Sequence, residues 1–229
     1  MPINNNICPN CGEMNAYPSK KQLNPAICAA GAVLVTLALL IKIIYYIMYN
    51  NSGVVGTSTM YALLNFFGIK ISIFMILDIL LFAAILAGFV LLRKQPLVLA
   101  VSCCTYAVVE VGLEIYTIVI IVTEHSGMLS VSYILTRMLT LLTYIGIALV
   151  AAALFAKNDT RKALAIAAAC CLGISILRNG FGFNYLLLGS MLAFLTLSSL
   201  AAVLIQIALL IAAVGIAVST KKTEKNRQY

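Results

Sequence analysis

The chain has 229 residues, of which 63% are hydrophobic and 10% charged, with a mean hydropathy of +1.06. Soluble domains carry about 25% charged residues, so this composition excludes an ordinary soluble fold. The net charge of +8 at pH 7 would suit nucleic acid as a sum, but its distribution does not. The basic residues are short flanks of apolar runs, which is how a polytopic membrane protein orients itself, and no nucleic-acid role is expected.

In chain order, residues 1–25 form a polar N-terminal segment containing Cys8 and Cys11. It does not read as a cleaved signal, because the apolar run after it is longer than a signal core and no small-residue cleavage site follows. Six apolar stretches come next: Ala26–Tyr49, Lys70–Leu92, Leu97–Thr123, Val131–Ala156, Ala163–Leu177 and Tyr185–Ser219. A helix crosses about 30 Å of hydrocarbon in roughly 20 residues. A lipid-exposed backbone must satisfy its own hydrogen bonds, and these runs lack the alternation of a β-barrel strand. The expected fold is therefore all-α: a polytopic bundle of about six transmembrane helices over residues 26–219, followed by a basic tail, residues 220–229. Membrane lipid is its first partner.

The basic flanks fix the orientation. Lys20, Lys21, Arg93, Lys94, Lys157, Arg161, Lys162, Lys221, Lys222, Lys225 and Arg227 all fall on one side of six crossings. The positive-inside rule then puts both termini in the cytoplasm. The fifth stretch is short, and counts as a crossing because the charge rule fails without it. The sixth is longer than one crossing needs, so Tyr185–Leu195 reads as an interfacial or re-entrant piece or as part of a strongly tilted helix. Met60–Phe67 is apolar enough to lie on the outer surface. A shift of 67 residues lays Cys103-Cys104 on Cys170-Cys171 and Lys70 on Arg137, a faint echo of the internal repeats found in transporters.

Cys8-Pro9-Asn10-Cys11-Gly12 is the sharpest local motif. Two thiolates at this spacing, with a glycine to turn the chain, form half of a tetrahedral zinc site. The pentapeptide resembles the first knuckle of the zinc ribbons that head many small prokaryotic membrane proteins. The resemblance implies zinc as a cofactor on Cys8 and Cys11. A second knuckle is missing, since the next cysteine, Cys28, lies in the first apolar stretch. A second chain in a homodimer, or a partner protein, would have to complete the ligand set; the other reading is a degenerate ribbon with two thiols kept reduced in the cytosol.

Asp78, Glu110 and Glu114 are the acids inside the spans. A charge at the centre of a membrane helix costs at least about 2.5 kcal/mol, so such residues are paired or functional. Glu110 and Glu114 share a helix face. Measured from the outer ends of the assigned spans, Asp78 lies about 12 Å deep, Glu114 about 13 Å, Glu110 about 20 Å, Lys42 about 10 Å and Arg137 about 6 Å. Lys70 and Arg178 lie near the outer rim. Two readings follow. In one, the five deep residues line an outward-open path for a ligand or ion, with a proton relay through Glu110 as a narrower version. In the other, they are an ion-pair network holding helices together, with Lys42 and Arg137 snorkelling outward.

The remaining features concern assembly. Cys103-Cys104 and Cys170-Cys171 lie at similar depth and would hold a soft metal if the third and fifth helices touched there; otherwise they pack as small apolar residues. Ala29-Ala30-Gly31-Ala32, Gly146, Ala148, and Ala208, Ala212 and Gly215 suit close helix packing. Gln206 is expected to hydrogen-bond a neighbouring helix, and Asn179-Gly180-Phe181-Gly182 reads as the outer turn between the last two spans. The lone histidine, His125, sits in a short outer loop. With no H-E-x-x-H, no base beside a serine nucleophile and no phosphate-binding glycine motif, the chain is expected to be non-enzymatic, with lipid modification through Glu110 or Glu114 as the alternative.

The two expected roles are permease-like transport or ligand binding through the intramembrane charges, and a membrane scaffold or regulator using the Cys8/Cys11 knuckle. The knuckle reading predicts about one zinc per two chains, since each chain supplies half of a four-thiolate site. Elemental analysis of purified protein checks this: Cys8→Ser should abolish the zinc, and metal-free protein that keeps the same partners rules the reading out.

Overall fold

The apolar stretches fold as six α-helices in a computed structural model that describes residues 24–51, 63–66, 69–124, 131–156, 158–186 and 193–225. They are α1 (Pro25–Asn51), α2 (Ile73–Leu91), α3 (Pro96–Glu124), α4 (Val131–Phe155), α5 (Asn158–Leu186) and α6 (Ala193–Lys225). Cys8, Cys11 and His125 lie outside the described residues. Five helices carry an apolar stretch long enough to cross a membrane: Pro25–Ile47, Pro96–Tyr116, Arg137–Phe155, Thr160–Asn179 and Leu197–Ser219. α2 has a shorter one, Met75–Leu91, although the 19-residue helix still spans about 28 Å. The chain is a membrane-embedded polytopic helical bundle.

Local chemistry sets the helix ends. The Asn24 side-chain oxygen accepts the Ala26 N–H at 3.0 Å, and Pro25 occupies the first turn, where no N–H is needed. α2 stops in a tight turn in which Lys94 and Gln95 N–H donate to the Leu91 carbonyl at 2.9 and 2.7 Å. Pro96 then opens α3.

The helices form a closed ring in chain order, with α6 packed back against α1 and α4 also touching α6. Contacting residues run in opposite directions at every seam. Gly31 meets Phe89 where Lys42 meets Asp78 further along, and Gly215 meets Ile27 where Ser198 meets Lys42. Neighbours are thus antiparallel around the whole ring. The start of α1, Arg93, Lys94, Arg161, Lys162 and the end of α6 lie at one end of the bundle.

Burial follows the membrane pattern. Exposed positions are large and apolar, such as Val33, Leu80, Val90, Val108, Met138 and Leu177, and face lipid. Buried positions are rich in alanine, including Ala38, Ala100, Ala151, Ala168, Ala208 and Ala212, which lets backbones approach.

Four expectations change. Lys70 lies on a strand, not in the second helix: Leu63–Phe66 (β1) and Ile69–Ser72 (β2) pair antiparallel, with Asn65 opposite Lys70. This places part of the apolar stretch Met60–Phe67 in a hairpin beside α2. The fifth helix is not short, because it starts within the basic flank, ahead of Arg161 and Lys162, and runs through Asn179-Gly180-Phe181-Gly182, the residues expected to turn. Each glycine in a helix costs only about 1 kcal/mol, so a helix packed on both sides tolerates two. The sixth run is helical from Ala193 to Lys225, Tyr185 and Leu186 belong to the end of α5, and residues 187–192 of the expected interfacial or re-entrant piece lie outside the described residues. The repeat echo does not survive where it was sharpest. Arg137 is helical where Lys70 is extended, and Cys103 is buried while Cys170 is exposed.

Gly88 marks the closest helix approach at the α2–α3 turn: a Cβ there would lie 2.7 Å from the Leu99 Cα. Gly112, on α3, faces open space. Gly88→Ala is therefore expected to lower the melting temperature of the purified protein, and Gly112→Ala to leave it unchanged or raise it. Equal effects in a thermal melt would contradict the packing.

Candidate functional site: an intramembrane charge cluster beside a polar cavity

Lys42 lies deep in α1, yet its ammonium is surrounded. It pairs with Asp78 of α2 at 2.9 Å and donates to the Ser198 hydroxyl of α6 at 3.1 Å. Rings of Tyr46 and Phe82 lie 5.6 Å from it and that of Tyr45 5.7 Å, a cation–π setting. The Tyr46 hydroxyl donates to the same Asp78 oxygen that Lys42 contacts. The paired side chains are only 13% and 17% exposed. α2 begins at Ile73, so Asp78 is about 8 Å into its helix, shallower than the sequence suggests.

One turn separates Glu110 from Glu114 on α3, and both reach α4. Arg137 Nη1 lies 3.0 and 2.7 Å from the two Glu114 carboxylate oxygens. Glu110 instead accepts the Tyr144 hydroxyl at 3.2 Å. Among the described residues it forms no ion pair. Phe82, Tyr106 and Tyr144 run edge to face between the two groups, with centroids 6.2 and 6.4 Å apart. Lys42 and Arg137 therefore turn inward to acids on neighbouring helices, where the sequence allowed snorkelling toward the headgroups. An acid within reach and no water to compete make the inward rotamer the better one.

Tyr144 also lines a partly open cavity of about 170 Å³ bordered by residues of α3, α4, α5 and α6. Its polar wall is Thr140, Thr143, Tyr144, Arg178, Asn179, Ser199 and Gln206. Tyr106, Ile147, Ala202 and Ile205 complete it with apolar surface. Arg178 Nη1 donates to Thr140 at 2.9 Å, and Asn179 Nδ2 donates to Gln206 Oε1 at 3.2 Å, so the expected interhelical bond of Gln206 is present. Thr143 of this wall and Ser175 bond each other through their hydroxyls.

The five charged residues singled out from the sequence thus become two ion pairs and a separate acid, and none of the five lines the cavity. The cavity was missed because its walls come from four helices. The sequence places Arg178 at the outer rim, because the apolar stretch before it ends at Leu177. The available signal was polar residues at matched depth: Thr140 and Tyr144 one turn apart on α4, Arg178-Asn179 on α5 and Gln206 on α6. The two cysteine pairs do not gather. α4 stands between α3 and α5, and among the described residues no three of His, Cys, Asp and Glu form a metal-binding group. No family model, curated protein or solved structure matches this chain.

Breaking a buried ion pair strands one charge, at a cost of about 3–5 kcal/mol, whereas replacing both partners with apolar groups is close to neutral. Asp78→Asn alone should therefore lower thermal stability more than Lys42→Met combined with Asp78→Leu. A double mutant that melts no higher than the single one would show that the pair is not what holds α1 to α2.

Proposed function

We propose that this chain is a non-enzymatic, permease-like protein of a prokaryotic plasma membrane, with both termini cytoplasmic, that binds or passes a ligand through the polar outer half of its bundle. One observation carries the reading. Asp78 and Glu114 are neutralised by direct ion pairs, while among the described residues Glu110 has no ion pair and accepts the hydroxyl of Tyr144, a residue that lines the cavity. A carboxyl kept inside a membrane without a cation is costly, and such residues mark substrate, ion or proton paths. The basic end of the bundle, facing the cytoplasm by the positive-inside rule, leaves the cluster and cavity toward the other face. The paired charges support the path by fixing its walls and do not line it.

The test is flux into proteoliposomes across a panel of inorganic ions, carboxylates, amines and neutral solutes. Glu110→Gln keeps an oxygen for the Tyr144 hydroxyl, so the protein should insert and melt as before. Flux of at least one solute by the natural protein, changed tenfold or more in Glu110→Gln, is the expected outcome. A panel with no flux, or flux indifferent to the substitution, overturns the reading.

A further inference from the structure

We propose that a groove over the basic end of the α1–α6 seam holds one anionic phospholipid, an acyl chain lying in the groove and the phosphate at its mouth. The site shares no lining residue with the polar cavity and does not depend on transport. Its walls are Ile27 on α1 and Ile211, Val214 and Val218 on α6. Gly215 forms the floor. A Cβ there would lie 2.5 Å from Ile27 Cδ1, so the glycine lets the two helices close beneath the groove. The groove faces outward: Val214 and Val218 are exposed, while Ala212, Ala213 and Ile216 on the other side of α6 are buried.

Depth and volume suit an acyl chain. The apolar spans of the two helices begin at Pro25 and end at Ser219, so Asn24 and Ser219 put the mouth of the groove at the border of the hydrocarbon. From Ser219 to Leu210, α6 runs about 14 Å, close to half of the hydrocarbon thickness. The groove therefore follows the path of one leaflet's chains, from headgroup to midplane. A cavity of about 150 Å³ accommodates benzene. This groove, at about 630 Å³, has room for a long hydrocarbon chain and is far larger than a small solute needs.

Charge at the mouth selects the headgroup. The outward stripe of α6 continues from Ile211, Val214 and Val218 to Lys222 and Lys225 at three- and four-residue spacing, so it turns from apolar to basic just past Ser219. Lys20 and Lys21, outside the described residues, stand four and three positions before Asn24. Residues 18–24 and 219–229 together hold Lys20, Lys21, Lys221, Lys222, Lys225 and Arg227 against one acid, Glu224. Basic clusters of this size beside the cytoplasmic end of a span attract anionic lipid. The Asn24 side-chain oxygen is taken by the Ala26 N–H, which leaves its amide nitrogen as a donor at the mouth. Ser219 spends its hydrogen on the Ile216 carbonyl at 2.8 Å and marks only the level. The same charges disfavour a second copy of the chain as the occupant, since a symmetric pair at this seam would set the two basic clusters against each other.

The experiment uses the full chain in mild detergent. Native mass spectrometry counts retained lipids, and lipid titrations follow the melting temperature. The probes are phosphatidylglycerol and phosphatidylcholine with the same two chains, and glycerol phosphate, which has the phosphate without the chains. One phosphatidylglycerol should bind per chain, at least tenfold tighter than phosphatidylcholine, and glycerol phosphate should not bind. Val214→Trp fills the groove and should weaken phosphatidylglycerol at least tenfold. Val108→Trp, at an exposed position of α3, should not. Lys221→Gln combined with Lys222→Gln should reduce the preference between the two lipids while binding persists. Val218→Trp repeats the groove test if Val214→Trp fails to fold. Equal binding of the two lipids, or binding indifferent to both groove substitutions, overturns the proposal. So does binding of glycerol phosphate as tight as that of the lipid. Dimers without retained lipid that Val214→Trp disperses would assign the groove to a second copy and overturn it as well.

Discussion

Lipid tails are as apolar as the helices they surround, so membrane helices gain little by hiding hydrophobic surface from one another. What selects one arrangement is close packing of small residues and polar contacts that have no water to turn to. In this protein such a contact crosses every seam of the ring. Lys42 joins α1 to Asp78 on α2 and to Ser198 on α6. The Ser102 hydroxyl lies 3.0 Å from the Ala84 carbonyl and so ties α3 to α2. Arg137 with Glu114, Arg178 with Thr140, and Asn179 with Gln206 close the remaining three seams. Interhelical hydrogen bonds in membranes average only about 0.6 kcal/mol each, so no single one holds the bundle. Their value is in register, since each can form at only one axial offset of its two helices.

The same constraint divides the charges by role. Lys42 with Asp78, and Arg137 with Glu114, are complete as pairs and behave as parts of the frame. Glu110 is different because its partner is a hydroxyl, and because that hydroxyl belongs to a residue facing the cavity. The frame and the candidate site therefore share α4, where Arg137 fixes the helix against α3 and Tyr144, two turns on, borders the open space. Thr140 lies between them and receives Arg178 from the opposite side of the cavity. Movement of α4 against α3 or α5 would alter frame and site together.

Helix boundaries illustrate how local signals yield to packing. Gly180 and Gly182 read as a turn, yet α5 continues through both to Leu186. The Asn179 side chain reaches Gln206 on α6, and that bond needs the helical path to be kept beyond Leu177. Lys70 reads as the start of a helix because the residues after it are mostly apolar and do not alternate with polar ones. Ile69–Ser72 instead pairs with Leu63–Phe66, a local hairpin that composition alone does not separate from a helix end.

By itself the sequence determined the helical class, the six elements, their alternation and the sharing of one end by the described basic flanks, Arg93, Lys94, Arg161 and Lys162 among them. These follow from the thickness of hydrocarbon and from the cost of an unsatisfied backbone or a charge within it, both of which act on each stretch independently. It also marked Lys42, Asp78, Glu110, Glu114 and Arg137 as residues needing an explanation. Only the tertiary structure decided which of them pair, that Glu110 is left to Tyr144, and that Arg178, Thr140, Ser199 and Gln206 surround one space. Pairing depends on the order of helices around the ring and on their axial offsets, and those are set by contacts between residues far apart in the chain.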